Sequence, residues 1–169
     1  MSGLYSIYTK RLENEILRGD MPNHIAIILD GNRRWANRNL SVSEDGHFHG
    51  ADAVENLLDW CEEFDIKIIT LYVLSAENLG RENEELEFLY ELIRTRLEKL
   101  YNDPRIHRNK MKVKAIGTVD LLPESIQDVL QRLDNVTKDY NNHFLNIAIA
   151  YGGQNELVDA VKKIGDQIE

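Results

Sequence analysis

Apolar positions along the chain switch between a helical and a strand-like period. Tyr5, Tyr8, Leu12 and Ile16 recur at nearly helical spacing with charges opposite, which predicts an amphipathic helix over residues 3–18, closed by Gly19-Asp20-Met21-Pro22. Runs rich in β-branched and apolar residues over 24–29, 67–74, 112–116 and 144–150 predict four strands. Helical stripes over 51–64, 84–101, 125–140 and 155–168 follow these strands in turn. The second helix buries Val54, Leu57, Leu58 and Cys61; the third buries Leu86, Leu89, Ile93, Leu97 and Leu100. Strands separated by helical crossovers predict an α/β domain with a mostly parallel central sheet and helices on both faces.

Ligands of such sheets gather where the strands end, so the residues that follow each strand carry the functional signal. The first strand runs into Asp30-Gly31-Asn32-Arg33-Arg34-Trp35, the second into Ser75-Ala76-Glu77-Asn78-Leu79-Gly80-Arg81, and the fourth into Tyr151-Gly152-Gly153. The third ends more quietly, in Gly117-Thr118. The first segment sets a carboxylate at the end of a buried strand, then a flexible glycine, an amide and two guanidiniums opening a short helix. Backbone N–H groups and arginine forks suit diphosphate oxygens, and the carboxylate of Asp30 could hold Mg²⁺ shared with them. The competing reading is an ordinary helix cap with solvated arginines. Gly46-His47-Phe48-His49-Gly50 reads as a loop before the second helix, where His47 could meet an anion. No Cys or Glu-x-x-His partner stands nearby to make His47 and His49 a zinc site.

The 169 residues include 29 Asp and Glu against 20 Lys and Arg, a formal charge of -9 that argues against nucleic acid as partner. With 43% hydrophobic residues, 10 Gly and 3 Pro, the chain is neither disordered nor of low complexity. The single Cys61 fits a reducing compartment and reads as a packing residue. No secretory leader opens the chain, and no apolar run approaches the length of a spanning helix.

Taken in order, residues 25–36, Gly46-His47 with Gly50-Ala51, Leu71-Tyr72 leading to Ser75-Ala76-Glu77-Asn78 and Arg81, and residues 145–148 leading to Tyr151-Gly152-Gly153 resemble the cis-prenyltransferases, the undecaprenyl diphosphate synthase family. The N-terminal helix resembles that of the family's archaeal and eukaryotic branch. The resemblance implies an N-terminal helix over 1–20 and a cis-prenyltransferase domain over 21–169 that lacks the last part of the family fold. It implies elongation of an allylic diphosphate, farnesyl or geranylgeranyl, by isopentenyl diphosphate, each step making a cis double bond. Asp30 would bind Mg²⁺ and assist diphosphate departure, while Gly31, Asn32, Arg33, Arg34, Trp35 and His47 would form the allylic diphosphate site. Ser75, Ala76 and Glu77 would line the cleft, Arg81 would add positive charge, and Asn78 stands where the family's proton acceptor is placed. The complete protein is expected to be a cytoplasmic homodimer, touching membrane through its lipid product.

Three departures from the family pattern stand out. Ser43 occupies the place of an arginine, Leu79 replaces an aromatic residue, and the chain stops inside the helix after Tyr151-Gly152-Gly153, at Gln167-Ile168-Glu169. The family's Arg-rich segment for isopentenyl diphosphate would follow that point. The alternative expectation is a non-catalytic or fragment subunit that needs a partner for the second substrate. An aspartyl-phosphate phosphatase is disfavoured because Asn32 stands where the second acid is needed, and a dinucleotide site because no Gly-x-Gly-x-x-Gly follows the first strand.

Overall fold

The protein is described here as a computed structural model covering residues 3–165. Helix α1 spans Gly3–Ile16, followed by strand β1 (His24–Ile28), helix α2 (Asn32–Arg38) and helix α3 (Ser43–Glu63). Strand β2 (Ile68–Ser75) leads through a 3₁₀ turn at Glu77–Gly80 into α4 (Asn83–Tyr101) and the short α5 (Pro104–Arg108). Strand β3 (Met111–Ile116), α6 (Glu124–Thr137), β4 (His143–Tyr151) and α7 (Gly153–Gly165) complete the described chain. The expected course of the last helix to Ile168, and its uncapped end at Gln167-Ile168-Glu169, lie outside the described residues.

The four strands form one parallel sheet in the order β1-β2-β4-β3, as the strand–helix alternation predicts. In register, Ile25, Ile69, Leu145 and Val113 lie in one row and Ile27, Leu71, Ile147 and Ala115 in the next. These rows share a face, on which the strands meet the apolar stripes of α3, α4 and α6. Ile126, Leu133 and Ile149 are fully enclosed there, each stabilising the fold by about 1.5–3 kcal/mol. The opposite face carries His24, Thr70, Tyr72 and Asn146, which are exposed or half-buried among the described residues. Strand β1 is not the buried strand expected: it is the sheet edge, and Ile28 is 72% exposed.

The carboxyl ends of the strands are bent out of regular pairing. The β2–β4 register shifts around Leu74, and Ala150 takes a left-handed backbone conformation (φ 47°) that costs a residue with a Cβ about 1–3 kcal/mol. Gly117 takes φ 124° at the neighbouring strand end, where a Cβ would stand 2.2 Å from the Ile149 carbonyl oxygen. Tyr72 donates its hydroxyl to the Tyr151 carbonyl at 2.8 Å, and the Ala76 N–H donates to the same oxygen at 2.9 Å. This ties the loop after β2 to the end of β4.

Candidate active site

Asp30 stands two residues past the end of β1, and Gly31, in a left-handed conformation (φ 93°), turns the chain into α2. The carboxylate accepts hydrogen bonds from the Gly31 N–H and from Arg34 Nη2, the latter at 2.9 Å. Both members of the Asp30–Arg34 pair are more than 70% exposed, so the pair is weak and free to exchange for an incoming ion. Arg33 lies on the same turn, and Trp35 stacks on His49 with ring centroids 4.4 Å apart.

The segment Gly46-His47-Phe48-His49-Gly50 is not a loop. It forms part of the opening turns of α3, which begins at Ser43, eight residues before the helix predicted from the sequence. The two glycines have a packing reason: a Cβ at Gly46 would stand 2.2 Å from the Asn32 carbonyl oxygen, and one at Gly50 2.4 Å from Asn32 Oδ1. Without side chains there, α2 presses its first residue onto α3. His47 is consequently buried, 8% exposed, with Nδ1 3.5 Å from Asn32 Nδ2. Its Nε2 faces Glu85 Oε1 at 3.5 Å but out of line for a hydrogen bond, leaving a buried ring nitrogen without a hydrogen-bond partner. Burial pushes the imidazole below its ordinary pKa, with Arg81 and Arg33 adding to the fall; Glu85 opposes it without reversing it.

Glu85, in the first turn of α4, is the residue that gathers the site and that sequence reading missed. It accepts from Arg81 Nη1 at 2.6 Å and lies 3.9 Å from Arg33 Nη1. Burial raises its pKa most strongly of any single cause, but Arg81, Arg33 and its hydrogen bonds together outweigh burial and hold the carboxyl below its usual range. Its only sequence signal is its place four residues after Arg81, where side chains meet on a helical turn.

Of the second predicted segment, Ser75 Oγ accepts from the Asn78 N–H at 3.1 Å and so closes the 3₁₀ turn. Asn78 Oδ1 accepts both Nε (3.1 Å) and Nη2 (3.0 Å) of Arg81. Ala76 is pinned to β4 through its N–H, and Glu77 stands exposed on the turn. The fold thus brings Asn32, Arg33, His47, Asn78 and Arg81 together around Glu85, with Asp30 and Arg34 paired alongside at the end of β1.

Asn32, His47, Asn78 and Arg81 form the polar end of a cleft, partly open to solvent, that runs between α3 and α4 over the sheet. Val54 and Leu58 of α3, Leu89 and Ile93 of α4, and Leu71 and Ile147 of the floor make it apolar along its length. The stripe of α4 therefore serves two ends: part of it packs the core, and part walls this cleft.

Among the described residues no three His, Cys, Asp or Glu side chains gather to cage a metal. The donor set nevertheless fits Mg²⁺, which takes one or two carboxylates and completes its shell with water and phosphate oxygens. Asp30 is such a carboxylate, exposed and adjacent to the arginines.

Residues 28–169 match the sequence model of a family described as "Putative undecaprenyl diphosphate synthase". Curated relatives include the tritrans,polycis-undecaprenyl-diphosphate synthases (geranylgeranyl-diphosphate specific) of Methanopyrus kandleri and Methanocaldococcus jannaschii. The first is 41% identical over 98% of this chain and 61% of its own length, the second 43% identical over 99% and 60%. The chain spans about six-tenths of the length of the curated relatives it matches. Among solved structures, a lavandulyl diphosphate synthase from Lavandula x intermedia in complex with dimethylallyl diphosphate superposes with a TM-score of 0.82. It is 28% identical, and the match covers 87% of this chain and 62% of that one. A structure titled as a probable undecaprenyl diphosphate synthase from Campylobacter jejuni shares the fold, with a TM-score of 0.69, 24% identity, and coverage of 88% and 64%. On the family match and relatives above 40% identity over nearly its whole extent, the chain belongs to the undecaprenyl diphosphate synthase family.

Proposed function

We propose that the cleft binds an allylic diphosphate, farnesyl or geranylgeranyl, and that the protein serves cis-prenyl chain elongation with isopentenyl diphosphate toward a long-chain polyprenyl diphosphate of the tritrans,polycis-undecaprenyl type. The observation that carries this reading is the joining of a cationic cluster to one end of an apolar cleft, which suits a charged head and a hydrocarbon tail. In each step the bond from allylic C1 to the diphosphate oxygen breaks, a bond from C1 to C4 of isopentenyl diphosphate forms, pyrophosphate leaves, and C2 gives up a proton.

Arg33, Arg34, Arg81 and the amide of Asn32 would hold the diphosphate and take up the charge that grows on it as it departs. The neutral His47 ring, held in the cluster by its burial, would donate its ring N–H to a diphosphate oxygen. Gly31 allows the chain to turn closely around the head group, and Trp35, stacked on His49, flanks it. Mg²⁺ held by Asp30 would neutralise the leaving group and fix its orientation. Ser75, Ala76 and Glu77, on the turn that carries Asn78, would line the mouth of the substrate cleft. Asn78 is poorly suited to take the proton, because its amide oxygen already accepts from both prongs of Arg81; it acts by fixing that guanidinium. The proton then leaves through water or a phosphate oxygen.

The second reading is a non-catalytic or fragment subunit that needs another chain for the isopentenyl diphosphate site. The homodimer, the cytoplasmic location and peripheral membrane contact belong to the proposal for the complete protein; no helix among the described residues is long and apolar enough to cross a membrane. Incubating the protein with geranylgeranyl diphosphate, radiolabelled isopentenyl diphosphate and Mg²⁺ separates the readings. Lipid-extractable label from the chain alone supports the enzyme. Label formed only when a full-length relative with an inactivated allylic site is added supports the subunit. No label in either case contradicts both.

A further inference from the structure

Glu85 is an anion set among the very groups that would hold one. Its Oε1 accepts from Arg81 Nη1 at 2.6 Å and lies 3.5 Å from His47 Nε2, while its Oε2 lies 3.9 Å from Arg33 Nη1. One side chain of α4 thus meets α2, α3 and the turn after β2. The three contacts are unequal. Arg81 is fixed: its side chain is 20% exposed, and two bonds to Asn78 with one to Glu85 engage three of its five N–H groups. The other two can serve a ligand. Arg33 is 58% exposed and beyond hydrogen-bond distance of Glu85, so it can turn to a phosphate oxygen at little cost. His47 Nε2 is buried and without a hydrogen-bond partner. Burial would raise the Glu85 carboxyl, but Arg81 and Arg33 more than offset this and keep it ionised near neutral pH.

Resting on the reading that these groups hold a diphosphate, we propose that Glu85 is a positioning residue and a resident counter-anion: it keeps Arg81, Arg33 and His47 converged on one point, and its charge keeps their grip on a diphosphate reversible. The two roles need different things of the side chain. The bond to Arg81 needs only an acceptor oxygen. Restraint of the ligand needs the negative charge, because a phosphate oxygen drawn to Arg33 and His47 comes to lie near a like charge in a site partly shielded from water. Such restraint suits the reaction: each elongation step leaves pyrophosphate among these arginines, and it has to depart before the diphosphate of the lengthened chain takes its place.

The test measures the affinity of geranylgeranyl diphosphate by calorimetry with Mg²⁺, and that of inorganic pyrophosphate by displacement of it, at low and high salt. The wild type, Glu85→Gln and Glu87→Gln are compared. Glu85→Gln keeps an acceptor for Arg81 and removes the charge; Glu87→Gln makes the same change of net charge at an exposed position of α4. At low salt Glu85→Gln is expected to bind both ligands about tenfold more tightly than the wild type, the gain shrinking at high salt, with Glu87→Gln unchanged. A side chain that only packed α4 would lower affinity on replacement, so the direction of the change separates this role from a structural one. Glu85→Ala gives up the Arg81 bond together with the charge and should gain less, about threefold; it is read in place of the glutamine variant if that one does not fold. Equal or weaker binding in the folded variant, the same gain in Glu87→Gln, or a gain for geranylgeranyl diphosphate without one for pyrophosphate overturns the counter-anion and leaves the diphosphate reading standing. A wild type that binds neither ligand overturns that reading, and the counter-anion with it.

Discussion

Arg81 closes on Asn78 with two prongs, Nε at 3.1 Å and Nη2 at 3.0 Å from the same amide oxygen, while its remaining nitrogen reaches Glu85. The guanidinium is therefore fixed in plane between two acceptors before any ligand arrives. Asn78→Ala removes one anchor, and Arg81→Lys keeps the charge but cannot form the fork. A hydrogen bond to a charged group contributes about 1.5–3 kcal/mol, so either change should weaken diphosphate binding roughly tenfold or more. Calorimetry with geranylgeranyl diphosphate checks it; wild-type affinity in both variants would remove Arg81 from the site.

The close approach of α2 to α3 gives a second expectation. Gly50→Ala drives a Cβ to 2.4 Å from Asn32 Oδ1, so Asn32 must move and draw the start of α2 with it. Overpacking of this kind costs about 1–3 kcal/mol. Gly80→Ala, where a Cβ meets nothing within 4 Å, is the control. Chemical denaturation should separate the two variants, and diphosphate binding should fall only in the first. Equal stability would show that Asn32 is not held as described.

Much of the scaffold was legible from apolar periodicity, because β2, β4 and α4 owe their form to burial and burial leaves a pattern. The site was legible only in part. Gly46 and Gly50 read as loop residues, since glycine is a poor helix former and its use for close helix approach depends on a partner distant in sequence. Glu85 stood among Glu82, Glu84 and Glu87 with nothing to separate it from a solvated helix start. Helix α5 was missed although Asp103-Pro104 is a good opening, with Asp103 accepting from the Arg105 N–H. The edge position of β1 depends on strand order, which apolar runs do not encode.

The buried His47 predicts a pH dependence of stability. Its pKa in the folded state lies below the ordinary value of 6.5, so the unfolded chain takes up the proton first. Stability from this group is complete above about 6.5 and is lost as pH falls through the folded value. The carboxyls of Glu55, Glu62, Glu85 and Asp103, also lowered, act in a separate window that opens as pH falls below their ordinary values of 4.5 for Glu and 3.8 for Asp. Thermal melts from pH 7.5 to 5 should show a slope in the wild type that His47→Gln lacks, with both proteins falling together at lower pH. A slope of equal size in the variant would assign it elsewhere.

Asp30 carries the metal in this account, and its exposure means that its removal should leave the fold intact. The most direct measurement is calorimetric binding of geranylgeranyl diphosphate to the wild type and to Asp30→Ala, each with Mg²⁺ and with EDTA. The wild type should bind at least about tenfold more tightly with Mg²⁺, a gain near 1.4 kcal/mol, and Asp30→Ala should bind alike in both buffers. Affinity that is independent of Mg²⁺ in the wild type, or a full Mg²⁺ effect in Asp30→Ala, would contradict the account.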